Sequence, residues 1–392
     1  MLSVLHSRRK ALKNTAVALA AFWLASCEPV AMGSKGPTID PGAPVPVALL
    51  LPSGSGNTGD ETLARNLKQA ADMAIADLGG SVQIDLRVYN VGADPGLASQ
   101  MAVKAADDGA AIILGPLYAD SANAAGLAVR GRDINVLSFS NNTDVAGGNV
   151  FVLGSTFQNS AARLTRYAAS HGKGNILIAF DQTAQGEHGR SAIEGAAGRS
   201  GARVVGAVPY QFSGPGVTAA VPTIVSTAKT AGATSLFLTA SSDGALPLLG
   251  QLLPGAGLGN STIQYVGLTR WDVPSATLSI PGVQGGWFAL PDPSLSAQFN
   301  SRYTNAYGEA PNPIAGLAYD GIAAVGALVK SGRPNPFSTA SLTQGAGFAG
   351  VNGVFRLRTD GTNERGLAIA QVQNGQVVVI DPAPRSFGGA GL

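Results

Sequence analysis

Metal and nucleophile chemistry needs cysteine, histidine and carboxylate side chains gathered at particular spacings, and this sequence offers few of them. It carries three histidines, His6, His171 and His188, and one cysteine, Cys27. No pair among them has metal-ligand spacing, and no Cys/His set can be assembled for zinc. A Gly-x-Ser-x-Gly nucleophile elbow and a Walker-type lysine loop are both missing from the sequence. Gly345-Ala346-Gly347-Phe348-Ala349-Gly350 matches the nucleotide-binding glycine fingerprint by letter. It neither follows a strand pattern nor opens a helix, so it reads as a flexible crossing between larger units. Asp107-Asp108, ahead of Gly109, reads as a solvated helix end rather than an acid/base pair. Enzyme chemistry, a metal ion and a cofactor are therefore not expected.

Cys27 has another use. It closes Leu24-Ala25-Ser26-Cys27, after the basic residues Arg8, Arg9, Lys10 and Lys13 and an apolar stretch over 16–25. The stretch is too short to span a bilayer, and basic head, apolar run and small residues in that order make an export signal. The closing run resembles the lipobox of bacterial lipoproteins. That resemblance implies lipidation of Cys27, removal of the preceding segment, and a membrane contact made through the lipid alone. Ser7-Arg8-Arg9-Lys10-Ala11-Leu12-Lys13 is similar to a twin-arginine signal with Ala11 in place of the usual aromatic, and it equally fits a plain basic head for general secretion. Residues 28–44, rich in Pro, Gly and Ser, read as a tether. The expected location is the periplasm, anchored to the inner or the outer membrane.

The net charge of +2 belongs to the signal. Removing residues 1–26 takes away those four basic residues and no acid, leaving 22 Lys+Arg against 24 Asp+Glu, a formal −2. With no basic stripe, nucleic acid is not an expected partner. The 392-residue length suggests two lobes. Abundant Gly (52) and a low charged fraction (13%) fit an α/β fold with tight turns and close helix–sheet packing. Apolar runs at 45–51 and 111–114 predict buried strands, 134–140 reads as a third strand, and 82–89 alternates as a strand. Leu63, Leu67, Ala70, Ala71, Ala74, Ile75 and Leu78 stand at helical spacing before Gly79-Gly80. The rhythm restarts after 149–154, with strands at 175–181, 203–209, 235–240, 264–267 and 285–290 between helices. Helices are expected at 293–307 and 313–330, and Asn374-Gly375 predicts a closing hairpin. Two parallel-sheet lobes would put their strand C-terminal loops into one cleft, where ligands bind in open α/β sheets.

The strand, Gly/Ser loop and helix at the start, then Leu114-Gly115-Pro116-Leu117, the segment 134–140, and Ala179-Phe180-Asp181-Gln182 with Gln185-Gly186, together resemble the Leu/Ile/Val-binding class of type I periplasmic binding proteins. The resemblance covers nearly all of 45–385. It implies two Rossmann-like lobes, 45–153 plus 292–347 and 154–291 plus 348–385, with crossings near 153–157, 290–293 and 348–353. It implies a ligand closing the lobes like a hinge. Family ligand positions fall on Ser53 in the first loop, on Tyr118, Asp120 and Ser121 after the third strand, and on Ser140, Asn141 and Asn142. In the second lobe they fall on Gln185, Ser241, Thr269 and Arg270. The serine expected beside Tyr118 is Ala119, the two aromatics are Gln185 and Ser241, and the ammonium-receiving acid is Thr269. Arg270 could grip an anion through its planar fork, or be a surface arginine.

Two functions stay open at this point. The resemblance implies a lipid-anchored receptor that delivers amino acids or related small polar solutes to an ABC permease. The turn at 115–117, the strand end 137–140 and Gly147-Gly148-Asn149-Val150-Phe151 also look like lipoproteins that activate a penicillin-binding protein, for which the partner would be a peptidoglycan synthase.

Overall fold

The computed structural model describes residues 37, 39, 40 and 42–387. The export signal, Cys27 and most of the 28–44 tether lie outside the described residues. The first lobe starts with β1 (Val45–Leu51), α1 (Thr58–Asp77), β2 (Ile84–Asn90), α2 (Pro95–Asp107), β3 (Ile112–Leu114), α3 (Ala119–Val129), β4 (Val136–Ser138) and β5 (Val150–Val152). Its sheet runs β2-β1-β3-β4-β5, all parallel. Alternate residues of the buried β1 face opposite layers. Val47, Leu49 and Leu51 pack with Leu63, Leu67 and Ala70 of α1. Ala48 and Leu50 pack with Ala98, Ala102 and Ala105 of α2 and Ala125 and Val129 of α3. Alanines on those helix faces let backbones approach closely. β5 lies inside 149–154, where the sequence shows only a break; its three residues are buried and pair with β4.

The second lobe contributes α4 (Phe157–Ser170), β6 (Asn175–Asp181), α5 (Ala184–Ser200), β7 (Arg203–Tyr210), α6 (Gly214–Thr230), β8 (Ser235–Leu238), α7 (Leu246–Gly255), β9 (Gln264–Gly267) and β10 (Trp287–Leu290). The chain then returns to the first lobe with α8 (Pro293–Tyr307), α9 (Gly316–Lys330) and α10 (Thr339–Leu342). It ends with β11 (Phe348–Gly350), β12 (Gly353–Leu357), β13 (Asn363–Arg365), β14 (Ala368–Gln373) and β15 (Gln376–Asp381). The second sheet is β15-β14-β10-β9-β8-β6-β7. Its two C-terminal strands are antiparallel and the rest parallel. Asn374 (φ 52°) and Gly375 (φ 73°) turn the last hairpin, the positive-φ pair such a two-residue loop requires.

The segment 348–365 departs from the sequence reading. It forms a separate antiparallel sheet, β11-β12-β13, and its Phe348, Phe355 and Leu357 join Leu49, Phe299 and Ile322 in the first core. The sequence reading gives everything from 348 onward to the second lobe. The third passage of chain between the sheets lies instead at 366–367, between β13 and β14, and the glycine-rich 345–350 runs into β11.

A buried polar knot ties this sheet to the first crossing. Arg365 (side chain 3% exposed) pairs with the fully buried Asp320 of α9, Nη1 to Oδ2 3.0 Å. Its Nε donates to the Leu153 carbonyl at 3.0 Å. Asp320 Oδ1 accepts the Val351 N–H at 2.9 Å. Asn363 Nδ2 donates to the carbonyls of Val152 (2.7 Å) and Gly154 (2.8 Å), and Asn159 of α4 donates to the Asn363 carbonyl at 3.0 Å. Gly350 is required here, because any Cβ would overlap the Asp320 carboxylate. Complete burial pushes the Asp320 carboxyl above its ordinary range, against the pull of Arg365.

Arg365→Met strands the Asp320 charge and should lower unfolding free energy by about 3–5 kcal/mol, read by urea denaturation. Asp320→Leu combined with Arg365→Met should recover a large part of that loss. On the same sheet, Glu364 accepts from Arg356 (2.7 Å) and Arg358 (2.7 Å). Burial pushes its carboxyl up, but the hydrogen bonds and charges of the two arginines outweigh burial and hold it below its ordinary value. A lowered carboxyl stabilises the fold above its unfolded pKa. That contribution fades as pH falls from about 4.5 through the lower folded value. Glu364→Gln should flatten this part of the acid-unfolding curve.

Candidate ligand cleft

The strands of both parallel sheets end at loops that carry most of the polar side chains of interest. In the first lobe, Ser53 follows β1. Its Oγ donates to Glu61 Oε2 at 2.5 Å, and the Gly54 N–H donates to the other Glu61 oxygen at 2.6 Å. Those two hydrogen bonds hold the Glu61 carboxyl below its ordinary value. Asn57 caps α1, accepting from the Gly59 N–H, which fixes Asp60 and Glu61 in the first turn. Tyr118 is the N-cap residue of α3, and its hydroxyl donates to Asp60 Oδ1 at 2.7 Å. The hydrogen bond to Asp60, then burial, pushes the Tyr118 phenol up to about 12. Asp120 is exposed in the first turn of α3. Ser121, next to it, is 0% exposed, and its hydroxyl has no hydrogen-bond partner among the described residues.

After β4, Ser140 Oγ accepts the Asn142 N–H at 3.1 Å, and Asn142 Oδ1 accepts the Asp144 N–H at 2.9 Å. Asn141 is exposed. This loop touches the second lobe twice: Asp144 lies 3.5 Å from His188 of α5, and Gln158 of α4 donates to Thr143 at 3.1 Å.

In the second lobe, Gln185 is exposed in the first turn of α5. Ser241 follows β8. Thr269 donates to the Ala240 carbonyl at 3.2 Å, which bridges the loops after β8 and β9. Arg270, the sequence candidate for an anion fork, already holds a carboxylate: Nε and Nη2 contact Asp272 at 2.9 and 2.5 Å. Asp181 ends β6 and Tyr210 ends the neighbouring β7 in register with it. Burial and the Asp181 charge raise the Tyr210 phenol far above its ordinary value.

Sequence reasoning missed Phe212, which is 60% exposed just past β7. Its ring lies over Gly244, where an added Cβ would meet Phe212 Cε2 at 3.3 Å and Ser241 Oγ at 2.8 Å. An aromatic in the polar loop 211–216 was the available signal. It supplies an aromatic face beside Ser241, a position where the family resemblance expects one. The other omission, the Asp60–Tyr118 pair, joins residues 58 positions apart.

These features define a class: a two-lobed α/β protein whose two mainly parallel sheets carry polar loops at their strand C-terminal ends. The model of the periplasmic binding protein family matches residues 44–376, and the chain belongs to that family. Similar solved structures include a branched-chain amino acid ABC transporter periplasmic ligand-binding protein from Burkholderia xenovorans (18% identity, TM-score 0.68, 88% of this chain and 97% of that one). An ABC transporter substrate-binding protein from Desulfitobacterium hafniense, in complex with Leu, shares 16% identity at TM-score 0.63 over 86% of this chain and 100% of that one. A solute-binding protein from Rhodopseudomonas palustris, in complex with 3,4-dihydroxybenzoic acid, shares 17% identity at TM-score 0.60 over 88% and 97%. At such identities the likeness establishes the fold. No curated protein matches the chain.

Tyr118→Phe removes the hydrogen bond that the nearly buried Asp60 carboxylate (8% exposed) accepts from the Tyr118 hydroxyl. Loss of a bond to a charged group should cost about 1.5–3 kcal/mol, measured as a shift in denaturant midpoint with an unchanged slope.

Proposed function

We propose that the protein is the solute receptor of an ABC importer, held in the periplasm by lipid on Cys27, with a small polar, amino-acid-like solute in the interlobe cleft. The observation that supports this reading is the pair of mainly parallel sheets with polar loops at their strand C-terminal ends, the chain passing between them at 153–157, 290–293 and 366–367. Such a frame closes by hinge motion when a ligand prefers the closed state. The candidate ligand-facing groups are Ser53, Tyr118, Asp120, Ser121, Ser140, Asn141, Asn142, Gln185, Ser241, Thr269 and Arg270, to which Phe212 is added.

A second reading, activation of a penicillin-binding protein, is favoured by one specific observation. The Arg270 fork is filled by Asp272, and the Ser53–Gly54 donors are filled by Glu61. A cleft whose groups satisfy one another has less need of a solute.

Thermal unfolding of the full chain against amino acids, short peptides, organic acids and muropeptides separates the two. A true ligand at about a hundred times its dissociation constant should add roughly 2.7 kcal/mol, and solution scattering should report a more compact particle. An unchanged midpoint across the panel, with a peptidoglycan synthase recovered by crosslinking in cells, would move the assignment to the second reading.

A further inference from the structure

We infer that the first lobe carries a second ligand site, one that takes a short peptide with free ends and an apolar middle. A surface pocket of about 320 Å³ lies between α3 and the segment that leads into β5. Its size falls at the small end of the roughly 300–1,000 Å³ that small-molecule sites occupy. None of the candidate cleft residues lines it, so the inference goes beyond the receptor reading and does not depend on it.

Local structure fixes both walls. Asn123, Leu127 and Arg130 stand at i, i+4 and i+7 along α3 and the residue that ends it, so they share one face. From Asn123 to Arg130 that face runs about 10 Å along the axis. Asn149 pins the opposite wall to the helix: its Nδ2 donates to the carbonyls of Gly126 at 3.0 Å and Ile134 at 2.8 Å. Gly126 permits the approach, because a Cβ there would overlap Val150 Cγ2. Gly147 and Val150 exchange backbone hydrogen bonds, both 3.0 Å, which closes a tight turn with Gly148 at φ 60°. At the other end of the wall, Asn142 caps the short 3-10 turn over 143–145.

Two charged side chains line the pocket, Arg130 and Asp144, and they do not pair with each other. The Arg130 guanidinium lies over Gly148, where an added Cβ would sit 3.9 Å from its Cζ and Nε, and it meets no acceptor among the described residues. The Gly148 and Asn149 N–H groups beside it also donate to nothing among the described residues. A planar guanidinium with unspent backbone N–H groups makes an anion-binding end. Asp144, four residues before Gly148, marks the other end, where it lies 3.5 Å from His188 of the second lobe. Leu127 stands between them, 62% exposed, the most exposed large apolar side chain among the described residues. A carboxylate at Arg130, an ammonium at Asp144 and an apolar group at Leu127 are the two ends and the side chain of a peptide. At about 3.3 Å per extended residue, the face accommodates three residues. A single amino acid is too short to meet both charges, and a simple organic acid would leave Asp144 unmatched.

The test is titration calorimetry of the full chain in detergent with the tripeptide Ala-Leu-Ala, its N-acetyl form and its C-terminal amide. The expected result is saturable binding of Ala-Leu-Ala, weakened severalfold when either end is blocked. Arg130→Gln should weaken the free peptide severalfold and erase the preference for a free carboxylate. Asp144→Asn should likewise erase the preference for a free amine, and Leu127→Ala should weaken all three peptides. The three side chains are exposed, so thermal unfolding of each variant should match that of the unaltered protein. Absence of saturable Ala-Leu-Ala binding overturns the inference, and so does binding indifferent to one or both blocked ends. That comparison needs only the unaltered protein and decides the matter even where a variant fails to fold. End preferences that survive both Arg130→Gln and Asp144→Asn place the peptide elsewhere, overturning this site while leaving the receptor reading standing.

Discussion

Asp320 and Arg365 meet where the two lobes join, and both side chains are out of water. Burying two charges costs several kcal/mol each, so such a pair is tolerable only when further hydrogen bonds use up the remaining donors and acceptors. Here they do. The guanidinium also holds the Leu153 carbonyl, while the carboxylate also holds the Val351 N–H. One ion pair therefore ties the first crossing to α9 and β11, and Asn363 ties the same crossing to β13. The interlobe crossings at 153–157 and 366–367 leave from a single cross-braced block. Asn159 brings the start of α4 into the same block through the Asn363 carbonyl.

The cleft shows a different economy of charge. In the knot, acid and base neutralise each other in a dry interior. At the strand ends, acids are held by hydroxyl and backbone N–H donors, which satisfy their lone pairs without removing their charge. Glu61 fixes the loop after β1, Asp60 fixes Tyr118, and Asp181 fixes the start of α5 through Thr183. Local rigidity at these strand ends thus comes from the acids themselves.

Much of the frame was legible because it rests on short-range patterns. The run at 45–51 and the Ile-Leu-Ile-Ala-Phe centre of β6 are continuous apolar stretches, as burial on both faces demands. Asn374-Gly375 carries its own turn geometry. The sheet at 348–365 was not legible. Its strands are three to five residues long and mix Phe355 and Leu357 with Arg356, Glu364 and Arg365. Those charges read as solvent-facing, yet Arg356 and Glu364 are cross-strand partners and Arg365 points into the core. The site was legible by position more than by state. Arg270 stands out as an arginine in a binding loop, but its pairing with Asp272 depends on a backbone turn that no spacing rule announces. Phe212 escaped because a lone aromatic in a loop has no periodicity.

The threading of the chain also sets an order of assembly. The first core is begun by β1 and α1 but is filled by α8, α9, Phe348, Phe355 and Leu357. The parallel strands of the second sheet lie entirely between these two contributions. During synthesis, the central lobe can bury most of its side chains while the earlier one still lacks a wall. Part of the apolar face of β1 and β3 stays uncovered until α8, α9 and the 348–357 segment have emerged, a span over which it is open to association with other chains. A protein threaded this way completes its N-terminal half almost last, so its passage from ribosome to final compartment depends on keeping that unfinished sheet shielded.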